Sequence, residues 1–494
     1  MRCLLPASLD LDAHLATHPP AIAGFRRENL LYLLHLVSYL PLANRRVAKR
    51  LADRRGFVSL RAKRLRRWLR DYHDYLDYAL NTGLLETDNL VLDPHRDRQG
   101  KCRGYQFPTQ FRAQADAPGR GLQLLECPAP EGLARMQQRQ VQATKRVRPA
   151  YVPLLNWLDP ATTPVRIEQA AAERFVDEEL ARYRQDPTLW ERRRQRRPGK
   201  PTEFKDPESQ AQQRLISIAK LAAGELNASV DRVGRLHSTL TNMSSKLRPF
   251  VYCQGQGRLV ALDLSNSQPY LANLLLTPGF YQTPYRKGRR GSQVPLFLQR
   301  EGLLGATHPD HAQTLQDQTK EISRYCANLL QASDNQDLAK FRQWTGDGAF
   351  YTHLHQALWA GDEAAPANRS ALKELVFEVL FSSAKARHSP RNQAFARFFP
   401  TVSAIFRAFK YRNHKTLPLV LQQLEAGLFL EKICGRLARQ RPEMPILTIH
   451  DSVVVPEVHS DFVEQVMREE LRRYVGVEPQ FKRSYWGQDP AGKE

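Results

Sequence analysis

Between Met444 and Pro456 the chain reads MPILTIHDSVVVP, two apolar, β-branched runs parted by two residues. Ile446 to Ile449 and Ser452 to Val455 have the composition of strands, and so short a separation predicts a tight hairpin. Asn-Gly is the easy choice for such a turn. Here the tip is His450-Asp451, an imidazole and a carboxylate. Placing two titratable groups between strands this apolar implies a tip that faces a functional cleft. A purely structural hairpin is the alternative.

A second carboxylate sits in a comparable place. In RLVALDLSNSQPYLANLLL (258–276), Val260 to Leu264 reads as a buried strand with Asp263 at its end. Ser265 to Gln268 reads as the turn, and Pro269 suits a first helical position, where a missing N–H costs nothing. An acid at the carboxyl end of a strand, facing a new helix, is a common place for a metal-binding residue. The alternative is an Asp capping that helix. Asp263 and Asp451 lie far apart in sequence, so only the fold could pair them. A third segment, RSALKELVFEVLFSS (369–383), sets Arg369, Lys373, Phe377 and Phe381 at every fourth position, on one helix face. Leu372, Leu375, Val376 and Val379 cover another face. Two cations suit a triphosphate and two rings suit a base or sugar. A core helix with snorkelling cations is the alternative.

Charge narrows the choice of partner. Of 494 residues, 73 are Lys or Arg and 51 are Asp or Glu, a net charge of +22 that points to a polyanion, most often nucleic acid. Residues 45–70 hold twelve of these cations and one acid, Asp53. Leu65, Leu69, Tyr72, Leu76 and Leu80 recur at helical spacing up to a stop at Gly83. LETDNLVL (85–92) and CRGYQF (102–107), joined by PHRDRQGK, read as a hairpin. Helices, a basic helix and a hairpin in that order are the order of a winged helix; a helical domain with a solvated basic face is the alternative. Residues 110–150 read as a linker. WERRRQRRPGKP (190–201) and YRKGRRGSQ (285–293) read as basic loops, either solvated or neutralised by a polyanion. A helical run spans about 208–227. Asp10 and Asp12 read as a surface turn. No run approaches the ~18 apolar residues of a membrane span, and acids arrive too early for a signal peptide. Six scattered cysteines without a CxxC pair argue against a disulfide framework or a zinc site and for a reducing, cytoplasmic setting.

Taken in order, an Asp at a strand end, Arg-x3-Lys-x3-Phe-x3-Phe on a helix and His-Asp in a hairpin resemble motifs A, B and C of the family A DNA polymerases and the related single-subunit RNA polymerases. Upstream, VGRLHSTLTNMSSKLR (233–248) is similar to that family's T-G-R-x-S-S…N element through Gly234, Arg235, Ser238 and Asn242, with His237 where a Ser is usual. The resemblance covers about 230–475. It implies an α+β right-hand polymerase with palm, fingers and thumb-like helices behind the winged-helix-like domain. The expected division is 1–110 winged-helix-like, 111–205 linker and helical region, 206–480 palm and fingers, and 481–494 tail.

By the same resemblance Asp263, Asp451 and Lys373 are the catalytic set. The two aspartates would ligate two Mg²⁺ ions, or Mn²⁺ in their place. Arg369 and Lys373 would grip the nucleoside triphosphate, Phe377 would pack on its sugar and base, and Phe381 would cover the templating pair. Gln268 stands where the family's DNA polymerases carry a Glu sugar gate. Arg235, Asn242 and His450 would hold the primer-template. Three departures mark a divergent plasmid, phage or mobile-element type. Tyr270 replaces the usual motif A arginine, Phe381-Ser382 replaces Tyr-Gly, and His-Asp-Ser is a motif C form also seen in the RNA polymerases. DNA synthesis from dNTPs is the expectation, since a long Gln268 crowds a 2′-hydroxyl where RNA enzymes usually have Gly. A single-subunit RNA polymerase and a non-catalytic DNA-binding replication initiator or repressor are the rivals.

Overall fold

The computed structural model describes the chain except for residues 44–46, 48–54, 91–101, 112–120, 192–203, 232, 282–321, 333–335, 360–368, 383–388, 412 and 488–494. Both basic loops fall largely outside the described residues. Two compact units interleave along the sequence. The first comprises 1–147, 159–226 and 243–251; the second comprises 148–158, 227–242 and 252–494. The expected boundary near 206 therefore falls inside the first unit.

In the first unit the helix Arg27–Ala43 buries Leu30, Leu31, Leu34 and Val37 at helical spacing. The strand Val58–Ser59, the short helix Ala62–Leu65, the helix Tyr72–Asn81 and the strands Glu86–Thr87 and Gly104–Gln106 follow. Gly104–Gln106 lies between the other two strands and pairs antiparallel with both. The expected hairpin is present, its loop lying outside the described residues. Gly83 sits at φ +73 just past its helix, the left-handed conformation that glycine adopts without a Cβ penalty.

The continuous helix expected through Leu65 and Leu80 is instead broken between Leu65 and Tyr72. A single helix would stack Lys63 on Arg66 and Arg67, and Arg70 on the same two, at the i,i+3 and i,i+4 spacings where like charges destabilise. The break keeps Leu65, Trp68 and Leu69 in the core while Arg61, Lys63, Arg64, Arg66, Arg67 and Arg70 stay exposed. The helix after the break, YHDYLDYALN, carries no Lys or Arg.

Residues 110–150 are not a linker. The strand Leu122–Glu126 pairs antiparallel along the full length of Arg2–Pro6. The helix Glu131–Val147 then lies so close to the basic segment that a Cβ on Gly132 would run into the Trp68 carbonyl oxygen. LQLLE has no β-branched residue, and its partner strand Arg2–Pro6 is far away in the sequence, so nothing local announced it. Asp10 and Asp12 also do more than turn. Asp10 accepts from the N–H groups of Asp12 and Ala13 and caps the helix Leu11–Thr17, and Asp12 pairs with Arg27. The helix Pro207–Ala222, capped by Asp206, packs on Gln169–Gln185.

The second unit is built on an antiparallel sheet. Its Gly257–Leu264 strand pairs on one side with Ser452–Pro456 and on the other with Phe481–Trp486; Leu447–Ile449 extends it beyond Ser452–Pro456. Leu259, Val260 and Leu262 and Val453, Val454 and Val455 are fully buried, which explains why both strands read as unbroken apolar runs rather than alternating ones. Residues 481–486, expected in a tail, are thus a strand of the sheet. Helices Gln336–Gly346, Phe350–Trp359, Arg369–Phe381, Pro390–Phe398, Pro400–Lys410 and Thr416–Ala426 gather around Phe341, Phe350, Phe395, Phe399 and Phe406. The last of them continues through a π-helical stretch, Gly427–Ile433, into Cys434–Gln440. Helices together with antiparallel sheets make this a mixed helical and sheet chain, in line with the α+β expectation. None of the six cysteines is in a disulfide, and no helix among the described residues is long and apolar enough to cross a membrane.

Candidate active site

The two aspartates meet through strand pairing. Asp263, near the end of Gly257–Leu264, lies opposite Ser452 in the register, and the Ser452 hydroxyl donates to its carboxylate at 3.2 Å. Asp451 is the preceding residue, and its carbonyl accepts from the N–H of Leu264 at 3.3 Å. Both acids are half-buried. The hairpin tip is as tight as the sequence implied: Ile449 pairs directly with Ser452, and His450 turns the chain at φ +53. Positive φ is uncommon outside glycine and is enriched in short polar residues and His.

Around this pair the fold collects four more polar side chains. The helix after Asp263 runs Ser267–Ala272, starting two residues before Pro269, with Asn266 in the left-handed region at φ +53. It offers Gln268, whose amide Nε2 donates to Glu425 Oε2 at 2.5 Å. Arg235 Nη2 donates to the same oxygen at 2.8 Å. Glu425 is only 2% exposed. Burial raises its pKa to about 7; the Arg235 guanidinium pulls the other way, and the nearby Asp451 charge adds to the rise. Tyr270 turns away into the core and donates its hydroxyl to the Val477 carbonyl at 2.6 Å.

The upstream element forms a small hairpin, Ser229–Val230 with Leu236–His237. Asp231 caps its turn, accepting from the N–H groups of Val233 at 2.9 Å and Arg235 at 3.0 Å and from His237 Nε2 at 3.0 Å. Burial pushes this carboxyl up, but the His237 contact and the two backbone donors outweigh it and hold Asp231 below the ordinary carboxylate range. The His237 ring meets the His450 ring edge to face at 5.8 Å. Desolvation and the charges of Arg235 and His237 lower the pKa of His450. Asn242 is exposed and spends its amide on the Ser238 carbonyl at 2.9 Å, a local bond that secures the short helix Thr239–Asn242.

Arg369–Phe381 is helical, as the spacing predicts, with Leu375, Val376, Val379 and Leu380 buried and Lys373 exposed. Phe377 and Phe381 stack with centroids 5.3 Å apart and rings inclined by 27°. The Arg369 side chain lies outside the described residues. The Thr416–Ala426 helix packs against both Arg369–Phe381 and Ser267–Ala272, and it carries Glu425 into the cluster. Glu425 was not singled out in the sequence. The available signal was a lone acid in LPLVLQQLEAGLFL, an otherwise uncharged helical run.

Two half-buried carboxylates, Asp263 on its strand and Asp451 in the hairpin turn beside it, supply oxygen donors of the kind Mg²⁺ takes. No cluster of three or more His, Cys, Asp or Glu suited to a metal occurs among the described residues. Mg²⁺ commonly binds through one or two carboxylates together with substrate phosphates and water.

No protein-family model matches the chain, and no curated protein sequence matches it. Among solved structures it is similar to the POL domain of Pol1 from M. smegmatis in complex with DNA primer-template and dNTP. The identity is 13%, 72% of each chain is covered, and the TM-score is 0.38. A likeness at that level carries no argument about function.

Proposed function

We propose that the chain is a template-directed nucleotidyltransferase of the right-hand type, a DNA polymerase that extends a primer with dNTPs. The observation that supports it is the meeting of Asp263 and Asp451, from distant segments, at adjoining positions of one sheet, with Arg235, Gln268, Glu425 and His450 gathered beside them. Asp263 and Asp451 would hold Mg²⁺, which when bound supplies charge stabilisation for phosphoryl transfer and lowers the pKa of a hydroxyl. The chain's own groups position the reactants. Arg235 and His450 hold the primer end, Gln268 bounds the sugar, and Lys373 on its exposed helix face meets the triphosphate, with the Phe377–Phe381 stack as a platform beside it. Positioning of this kind is most of what a phosphoryl-transfer enzyme must do.

The test is primer extension by the purified full chain on DNA and RNA templates, with dNTPs and NTPs in separate reactions. Extension of a DNA-templated primer with dNTPs is expected. No extension under any combination would overturn the assignment, and leave the DNA-binding initiator or repressor in its place.

The first unit serves this activity as a nucleic-acid grip. Its helix–strand–helix–helix–hairpin order is that of a winged helix. The cations lie on and just after Ala62–Leu65 rather than on Tyr72–Asn81, so the contact is with backbone phosphates through the basic turn. Changing Arg61, Lys63, Arg64, Arg66, Arg67 and Arg70 together to Gln is expected to flatten the salt dependence of duplex binding, by ~0.9 in the log–log slope for each phosphate no longer neutralised. All six are exposed, so the fold is expected to survive. Equal slopes for the variant and the wild type would show that this face does not touch the nucleic acid.

A further inference from the structure

We infer that Glu425 is the positioning residue for sugar choice, pinning Gln268 as a fixed wall and coupling it to Arg235. The inference rests on the polymerase reading and deepens it. A glutamine has three rotatable side-chain bonds, and a free one makes a poor gate because it can swing aside. Here the Gln268 amide is tied to Glu425 Oε2 at 2.5 Å, and the same oxygen receives Arg235 Nη2 at 2.8 Å. One carboxylate thus holds both the residue that would bound the sugar and the residue that would grip the primer end.

Glu425 is itself held firmly. It is 2% exposed, on a helix that packs against the one carrying Gln268. Three atoms of the cluster, Gln268 Oε1, Glu425 Oε1 and Arg235 Nε, are buried without a hydrogen-bond partner among the described residues. Each of these atoms is free to take a further hydrogen bond from a group or water entering the cluster.

The experiment measures kcat/KM for dATP and for ATP, with the full chain and a primed DNA template. The variants are Gln268→Ala, Gln268→Leu, Glu425→Ala and Glu425→Gln. Wild type is expected to favour dATP by roughly 10- to 200-fold. Gln268→Ala should lose most of that ratio. Glu425→Ala, which leaves Gln268 in place but untethered, should bring the ratio to within about threefold of Gln268→Ala, and the double variant should lose nothing further, as expected of coupled residues. Glu425→Gln keeps an acceptor oxygen and should retain a ratio near wild type. Gln268→Leu keeps the bulk but cannot donate to Glu425; its ratio should also fall, and it decides the matter should Glu425→Ala fail to fold. A merely structural Glu425 would lower activity toward both nucleotides without moving their ratio. An active wild type whose ratio is unmoved by Glu425→Ala or by Gln268→Leu overturns this inference alone. A wild type that adds neither nucleotide overturns the polymerase reading and this inference with it.

Discussion

Asp263→Ala and Asp451→Ala are each expected to lower nucleotide addition at least ~10³-fold while primer-template binding stays close to wild type. The two residues lie at one end of a strand pair through the Asp263–Ser452 register and the Leu264–Asp451 backbone bond. Losing either carboxylate halves the anionic charge available to divalent ions there. Charge stabilisation of a transferring phosphoryl group contributes several kcal/mol, and each 1.36 kcal/mol is about tenfold in rate. Neither aspartate is a core residue. Asp263 is half-buried and its bond from Ser452 is long, so the sheet should tolerate its loss. Single-turnover extension paired with a binding titration checks both halves of this outcome. A variant that extends a primer at near wild-type rate would remove its residue from the catalytic set. One that loses template binding in proportion to rate would instead point to a fold defect.

The largest effect on stability is expected in the first unit. Glu179 and Arg214 form an ion pair in which each is 6% exposed. Arg214 also reaches Glu191 at 2.9 Å, and Glu179 accepts from Lys246 at 2.5 Å and from the Tyr183 hydroxyl at 3.1 Å. Glu179→Ala strips the main partner from a buried guanidinium and takes the acceptor from the Tyr183 hydroxyl, which keeps only its bond from Lys246 at 2.9 Å, so the unit should lose ~3–5 kcal/mol. Denaturant unfolding followed by far-ultraviolet circular dichroism measures it, with a fall in midpoint at unchanged slope as the signature. Replacing the pair together, Glu179→Leu with Arg214→Met, should restore much of the loss, because a buried pair contributes little net stability over well-packed apolar residues. A loss below ~1 kcal/mol for the single variant would mean that Glu191 and solvent satisfy Arg214.

Several features were legible because they are local. The His450-Asp451 hairpin, the strand ending near Asp263, the helix through Lys373 and Phe377 and the hairpin after Gly83 each follow from spacing, β-branching or turn chemistry within a short window. The misjudged segments lacked such a signal. LQLLE became a strand because Arg2–Pro6 lay ready to pair with it, and Phe481–Trp486 joined the sheet because Gly257–Leu264 had an open edge. The helix expected across Leu65–Leu80 was interrupted because periodicity counts apolar positions and is blind to repulsion between the cations among them.

What the amino-acid order determined by itself is the chemistry available: a strong excess of cations, one strand-end and one hairpin-tip aspartate, a face of cations and rings, and an Arg-, His- and Asn-bearing segment upstream. What only the tertiary structure decided is which of these meet. The strand register set Asp263 beside Asp451, the turn capped by Asp231 brought His237 against His450, and helix packing delivered Glu425, a residue with no motif around it, to Gln268 and Arg235. The reason is one of range. Hydrogen-bonding and packing preferences act between neighbours in the chain and can be read from it. A contact between distant residues exists only after a whole sheet or helix pair has buried its apolar faces and thereby chosen its register.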